Sequence, residues 1–90
     1  MGQLSEAELK AKLAATKEKI TIGGRYCHYK DPSHTYTVSD IAILESTEDP
    51  VVIYKAEYGN NITFVRPVDE WLETVEKDGK QVLRFTLISS

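Results

Sequence analysis

Residues 51–67, VVIYKAEYGNNITFVRP, decide the fold of this chain. Strand-forming Val, Ile, Tyr, Thr and Phe lie on both sides of Gly59-Asn60-Asn61, whose residues tolerate the positive φ of a hairpin turn. A three-residue loop places the apolar positions of both strands on one face, which predicts an inward-facing set and a register. The inward set of the first strand is Val52, Tyr54, Ala56 and Tyr58. The predicted pairs are Tyr58 with Ile62, Ala56 with Phe64 and Tyr54 with Arg66.

Short strand-like runs continue on both sides of this hairpin and make the chain mainly β. The predicted strands cover residues 25–30, 35–45, 51–58, 62–66, 73–77 and 80–88. A bend is expected near Ser39-Asp40, a single helical turn at 69–72, and a type I′ turn at Asp78-Gly79. Because closure removes exposed strand edges, these elements predict a small, strongly bent antiparallel barrel over residues 23–90.

Residues 4–20 are predicted to form an amphipathic helix before the β domain. Ser5 is a favoured N-cap, and Glu8 three residues later completes a capping box. A narrow apolar stripe follows the helical period: Leu9, Leu13, Thr16 and Ile20. Such a stripe can dock on its own domain or on a second copy, so residues 1–22 are interpreted as a helical extension. A homodimer through this helix is an open alternative.

Composition indicates one small globular domain. The 90 residues are 41% apolar and 28% charged, with a net charge of −3. An acidic protein repels a phosphate backbone at long range, which counts against non-specific nucleic-acid binding. Cys27 is the only cysteine, so no internal disulfide forms, and no apolar stretch approaches the roughly 20 residues of a membrane helix. We therefore expect a cytoplasmic protein without a membrane partner.

Aromatic, histidine and arginine side chains on the predicted strands form the candidate ligand-binding set. It consists of His28, Tyr29, Tyr54, Tyr58, Arg66 and Trp71. The register places the Arg66 guanidinium beside the Tyr54 ring. Structural alternatives exist: a partly buried imidazole for His28, a packed side chain for Arg66, and a core ring for Trp71. Successive strand residues point to opposite faces, so His28 and Tyr29 share a surface only if the strand twists or ends there.

No catalytic, metal or cofactor site is predicted. Cys27 and His28 resemble a nucleophile and its base, but as neighbours in a strand they point to opposite faces. With His34 they do not match the spacing of zinc ligands. No pair of carboxylates is placed for acid–base chemistry.

The β part of the sequence resembles the bacterial domain of unknown function 1653 family. The resemblance covers about residues 23–88 and implies an SH3-like barrel, but no activity. The matching segments are Gly24-Arg25-Tyr26, His28-Tyr29-Lys30, Tyr36-Thr37-Val38, Ile41-Ala42, Pro50, Val52-Ile53-Tyr54, Tyr58-Gly59, Val65-Arg66-Pro67, Asp78-Gly79 and Arg84-Phe85.

The sequence also departs from the family pattern. The segment Ala42-Ile43-Leu44-Glu45-Ser46-Thr47 stands where members tend to carry Ala-Arg-His-Ser-Glu-Thr. Phe64 replaces a tryptophan, and Cys27 replaces an arginine before the histidine. A family pocket that uses this Arg–His pair would be incomplete here, and the N-terminal helix is an addition.

These observations favour a non-enzymatic binding module whose aromatic–arginine face holds a peptide or a protein partner. The first alternative is a nucleic-acid or nucleotide binder using the same face. Bases would stack on Tyr29, Tyr58 or Trp71, and phosphates would bind Arg66, Lys30 or Arg84. The second alternative is an enzyme of unrecognised type.

Overall fold

The structure, a computed structural model, describes residues 3–90. A helix precedes a mainly β chain, as predicted, and a one-turn helix follows the fourth strand. The elements are α1 (Glu6–Lys19), β1 (Arg25–His28), β2 (Thr35–Leu44), β3 (Asp49–Ala56), β4 (Thr63–Pro67), α2 (Val68–Trp71), β5 (Thr74–Lys77), β6 (Lys80–Leu83) and β7 (Phe85–Ser89).

The strands form one five-stranded antiparallel sheet and one separate hairpin. The order in the sheet is β4-β3-β2-β1-β7, and β5 pairs only with β6. Within residues 3–90, β4 and β7 are therefore the two edges and do not pair with each other. The antiparallel architecture agrees with the sequence, but the expected closed barrel is not found.

Helix α1 begins as the capping box predicts. The Ser5 hydroxyl accepts a hydrogen bond from the Glu8 N–H at 3.1 Å, and the Glu8 carboxylate accepts one from the Ser5 N–H at 3.0 Å. Thr16 and Ile20 are buried, while Leu13 is half-buried against the core. The apolar stripe therefore docks on β2 and β3 of its own chain. The homodimer through this helix remains a prediction.

Five aromatic rings pack together in the core between helix and sheet. Trp71 of α2 stacks on Phe85 of β7, with ring centroids 3.8 Å apart and an interplanar angle of 4°. Tyr26 and Tyr54 meet the Trp71 ring edge-on at 5.2 and 4.8 Å. Aromatic rings bury much area per residue, which lets a 90-residue chain build a core from few side chains. The buried apolar side chains in this core are Ile20, Tyr26, Tyr36, Val38, Ile41, Val52, Tyr54, Ala56, Val68, Trp71 and Phe85.

The register of the β3–β4 hairpin differs from the prediction. Tyr54 pairs with Phe64, and Val52 pairs with Arg66, so the predicted pairing of Tyr54 with Arg66 is wrong by two residues. A shift of two preserves which side chains share a face. Val52 and Tyr54 are accordingly buried as expected, but Tyr58, beyond the end of β3, is 36% exposed.

Polar groups in the loop between β3 and β4 explain the shift. The Asn61 N–H donates to the Tyr58 carbonyl at 3.1 Å, and the Asn61 side-chain amide donates to the Ala56 carbonyl at 2.9 Å. Both Gly59 and Asn61 adopt positive φ, 60° and 55°. These bonds stabilise a six-residue connection over 57–62 in place of the predicted three-residue loop.

The last hairpin confirms the predicted turn but not the length of its second strand. Asp78 and Gly79 have φ of 53° and 79°, and Lys77 pairs with Lys80, as in a type I′ turn. The predicted strand 80–88 breaks at Arg84 into β6 and β7. The break lets β7 leave the hairpin and pair with β1. The expected bend of β2 is also present, as a register shift between Val38 and Asp40.

Candidate functional site

The candidate site is built around the buried ring of Phe85. Trp71 of α2 lies beneath this ring and stacks on it. The His28 ring at the end of β1 meets it edge-on at 5.1 Å, and the Arg66 guanidinium of β4 lies over it at 5.5 Å. Strands far apart in the sequence thus bring an imidazole and a guanidinium to one aromatic support.

His28 is a half-buried neutral donor. Its Nδ1 accepts the Lys30 N–H at 3.1 Å, which leaves the proton of the neutral ring on Nε2. Partial burial lowers the pKa of His28, and the nearby charges of Arg66, Arg84 and Lys30 lower it further. Strand β1 ends at His28, so the Tyr29 ring lies beside it at 4.8 Å. Because the strand ends at His28, the His28 and Tyr29 rings can share one surface although they are successive residues.

Three tyrosines, Tyr36, Tyr54 and Tyr58, lie side by side next to this site. The hydroxyl oxygens of Tyr36 and Tyr58 lie 2.7 Å apart. Burial raises the pKa of Tyr36, and the hydrogen bond to Tyr58 adds to this effect. The Tyr58 ring stacks on His34 at 4.0 Å, and the Tyr54 ring meets Tyr36 edge-on at 5.4 Å. The hydroxyl bond holds the exposed Tyr58 ring against a buried one.

Arg66 is held by a hydroxyl and a carboxylate. Its Nε donates to the Tyr54 hydroxyl at 3.4 Å, and its Nη1 donates to the Glu70 carboxylate at the same distance. The guanidinium lies over the Phe85 ring, so the expected packing on the Tyr54 ring becomes a contact with its hydroxyl. Within residues 3–90, Nη2 has no hydrogen-bond partner.

Arg84 is a second arginine at this site that the sequence did not place in the candidate set. Its Nη2 donates to the Glu73 carboxylate at 2.7 Å, and its guanidinium lies 6.0 Å from the Tyr29 ring. Its Nε is buried without a partner in the described residues, on the guanidinium edge that faces Glu73. The strand break at Arg84 places it here, whereas the sequence suggested Arg84 only as a phosphate contact in the nucleic-acid alternative.

The six predicted site residues divide by burial. His28, Tyr29, Tyr58 and Arg66 are partly exposed. His28 and Arg66 contact the Phe85 ring and Tyr29 lies beside His28, whereas Tyr58 is joined to this group through Tyr36, whose ring meets Phe85 edge-on at 5.9 Å. Tyr54 and Trp71 are only 5% and 2% exposed, so the expectation that they contact a ligand directly is corrected to one of support from beneath. A ring in the core cannot stack on a base or a side chain in solution.

Another surface depression lies on the other face of the sheet. It encloses about 520 Å³ and is lined by Arg25, Thr35, Thr37 and Glu57 among others. Glu57 accepts hydrogen bonds from both threonines and from Arg25, so its charge is already satisfied.

Two classes of site are not seen in the described part of the chain. Among residues 3–90, no group of three or more His, Cys, Asp or Glu side chains is arranged to hold a metal ion. Neither helix of that range has the length and apolar character needed to cross a membrane.

Residues 24–87 match the family described as "Protein of unknown function (DUF1653)". The chain belongs to the DUF1653 family. The family resemblance read from the sequence is thereby confirmed, and the matched range includes every candidate residue but begins after α1. No curated protein matches this DUF1653 member.

A solved structure supports the same assignment. The DUF1653 member is similar to the crystal structure of a DUF1653 protein from Bordetella bronchiseptica, with 28% identity and a TM-score of 0.66. The alignment covers 74% of this chain and 86% of the other.

Proposed function

We propose that this DUF1653 member is a non-enzymatic binding module that holds a peptide segment of a protein partner. The binding surface, here called the aromatic–arginine face, consists of His28, Tyr29, Tyr58 and Arg66. The observation that carries the proposal is that these partly exposed groups rest on a rigid, buried aromatic base. Tyrosine and arginine at a fixed position contribute most per residue to protein interfaces.

The arrangement of Cys27 and His28 supports a role without catalysis. They are successive residues of β1, so their side chains leave the strand on opposite sides. The His28 Nδ1 is also occupied by the Lys30 N–H and is not available as a base. A nucleophile–base pair would need both groups on one side within hydrogen-bond reach.

We also propose that the sheet is an open form of the SH3-like barrel. The bend in β2 between Val38 and Asp40 and the return of β7 to β1 support this interpretation. We propose in addition that the protein is cytoplasmic, since a single cysteine fits a reducing compartment.

The test is a titration of ¹⁵N-labelled protein followed by amide chemical shifts. We expect pooled ten-residue peptides to move the signals of Tyr29, Tyr58 and Arg66. The variants Tyr29→Ser and Arg66→Gln should weaken this response, whereas Lys10→Gln, on the exposed side of α1, should not. Absence of any shift at the face would refute the binding module.

Nucleic acid provides the second arm of the same titration. Short RNA, short DNA and nucleotides are added separately at two salt concentrations. If they move the same signals more than peptides do, with affinity falling steeply as salt rises, the nucleic-acid alternative replaces the proposal.

A further inference from the structure

Basic side chains converge on His28 although the chain as a whole is acidic. Arg66 and His28 both contact the Phe85 ring, at 5.5 and 5.1 Å. Arg84 and His28 both lie beside the Tyr29 ring, at 6.0 and 4.8 Å. The Arg66 and Arg84 side chains are only 27% and 22% exposed, so both charges are partly shielded from water. Shielding strengthens their attraction for an anion.

Two further lysines add to this positive region. The Lys77 ammonium donates to the Tyr29 carbonyl at 2.8 Å, which brings the β5–β6 hairpin against the end of β1. Lys30 follows Tyr29 and bonds His28 through its backbone N–H. Its charge also contributes to the lowered pKa of His28.

The carboxylates of the chain neutralise this region only in part. Glu70 and Glu73 each accept from one guanidinium, and their side chains are 58% and 53% exposed at the rim. Asp31, the acidic residue that follows Lys30, accepts hydrogen bonds from Ser33 and lies near His34. Arg66 and Arg84 thus each form one ion pair with a rim carboxylate, whereas Lys30 and Lys77 form none within residues 3–90.

Several donors at the centre have no acceptor. Within residues 3–90, Arg66 Nη2, Arg84 Nη1 and His28 Nε2 make no hydrogen bond. Guanidinium groups bind carboxylate and phosphate oxygens through parallel N–H donors, and a neutral imidazole adds a donor without adding charge. The free donors have the chemistry that an oxyanion requires.

We propose that Arg66, Arg84 and His28 form an oxyanion site that takes a carboxylate or a phosphoryl group of the bound peptide segment. This inference rests on the proposed function and names the chemical group that the face recognises. The Tyr29 and Tyr58 rings then contact the apolar part of the same segment, while Glu70 competes with the ligand for Arg66.

The first test uses simple anions. Inorganic phosphate or acetate replaces sodium chloride stepwise at constant ionic strength. The amide chemical shifts of the ¹⁵N-labelled protein are recorded at each step. We expect the amide signals of His28, Tyr29 and Arg66 to shift until the site is saturated. The anion that binds with the lower Kd identifies the preferred group. Equal responses to chloride, phosphate and acetate would overturn the oxyanion site.

Three charge variants sharpen this test. Arg66→Gln should raise the apparent Kd of the preferred anion about 3- to 10-fold, the loss expected for one partly exposed charged hydrogen bond. Glu70→Gln should lower that Kd because it removes the competing carboxylate. Lys10→Gln changes the net charge as Arg66→Gln does but leaves the site intact, so it should change nothing. Equal effects of Lys10→Gln and Arg66→Gln would mean that net charge alone attracts the anion.

A peptide comparison separates this inference from the proposed function. A pool of ten-residue, C-terminally amidated peptides rich in Tyr and Leu carries the group preferred in the first test, as Asp and Glu for a carboxylate or phosphoserine for a phosphoryl group. It is compared with the same pool carrying Asn and Gln, or serine, in place of these acidic residues. Preference for the acidic pool supports both proposals. Equal binding of both pools overturns the oxyanion site and keeps the binding module. Anion binding with no response to either pool keeps the site and overturns the peptide function. If RNA or DNA binds more tightly than either peptide pool, the oxyanion comes from nucleic-acid phosphate and the peptide proposal is overturned.

Discussion

The hydroxyl oxygens of Tyr36 and Tyr58 lie 2.7 Å apart and join the core to the aromatic–arginine face. Tyr36 is 9% exposed, whereas Tyr58 is 36% exposed and stacks on His34. The bond therefore orders a surface ring by means of a buried one. An ordered ring loses less conformational entropy when a ligand binds to it.

Removing the Tyr58 hydroxyl should destabilise the fold without changing ring packing. Tyr58→Phe leaves the buried Tyr36 hydroxyl without its partner, so the free energy of unfolding should fall by about 1 kcal/mol. Urea denaturation measures this change in the free energy of unfolding. Tyr29→Phe is the matched control because the Tyr29 hydroxyl makes no hydrogen bond within residues 3–90, and a loss of equal size in both variants would contradict this interpretation.

Glu57 should make stability depend on pH in the acidic range. Hydrogen bonds from Thr35 and Thr37, and then Arg25, lower its pKa from 4.5 to about 2. The folded state therefore binds this proton less readily than the unfolded state. The stabilisation is fully present above pH 4.5 and is lost as pH falls toward 2.

The measurement is the free energy of unfolding of wild type and Glu57→Gln between pH 2 and pH 7. Wild type should be the more stable near neutral pH, and the difference should shrink below pH 4.5. Glu76→Gln, an exposed carboxylate without a side-chain hydrogen bond in the described residues, serves as control. A difference that does not vary with pH would show that Glu57 does not act through its charge.

Trp71 should behave as a core residue. It is the only tryptophan and is 2% exposed against Phe85, so its fluorescence should be blue-shifted and weakly quenched by acrylamide. Trp71→Ala should cost about 3–5 kcal/mol because it leaves a cavity between α2 and the sheet. Strong quenching in the native protein would place the ring at the surface and contradict its supporting role.

The register of β4 predicts which residues tolerate proline. The Ala56 N–H donates to the Ile62 carbonyl at 2.9 Å, and hydrogen-bonded pairs alternate along antiparallel strands. The Phe64 N–H therefore faces β3, and the Val65 N–H faces the open edge. Phe64→Pro should lose at least about 1 kcal/mol more than Phe64→Ala, whereas Val65→Pro should differ little from Val65→Ala.

Thermal and urea denaturation of these four variants provide the comparison. Subtracting the alanine variant at each position removes the effect of the lost side chain and leaves that of the backbone donor. Pro67 already occupies an edge-facing position two residues beyond Val65, as proline requires. A larger proline penalty at Val65 than at Phe64 would invalidate the register.

Local chemistry made much of the fold predictable. The capping box at Ser5 and Glu8, the Asp78-Gly79 turn and the bend after Val38 depend on residues close together in the sequence. The alternation along residues 51–58 likewise identified the buried face of β3, because burial follows a period of two. These features involve short-range hydrogen bonds or side-chain direction, which a sequence pattern expresses directly.

Long-range relationships were not predictable in the same way. The β3–β4 register depends on how Asn61 bonds to Tyr58 and Ala56, and a two-residue shift leaves the apolar pattern unchanged. The separation of β6 from β7 at Arg84 depends on the pairing of β7 with β1. No local signal distinguishes such a break from a continuous strand.

The sequence by itself determined the mainly β class, the capped helix, the family and the residues from which a site is built. Only the tertiary structure decided that Tyr54 and Trp71 lie in the core, while His28, Tyr29, Tyr58 and Arg66 remain at the surface. It also brought Arg84 to His28. The reason is that residue type sets what a side chain can bind, whereas exposure and charge proximity arise from the packing of distant strands.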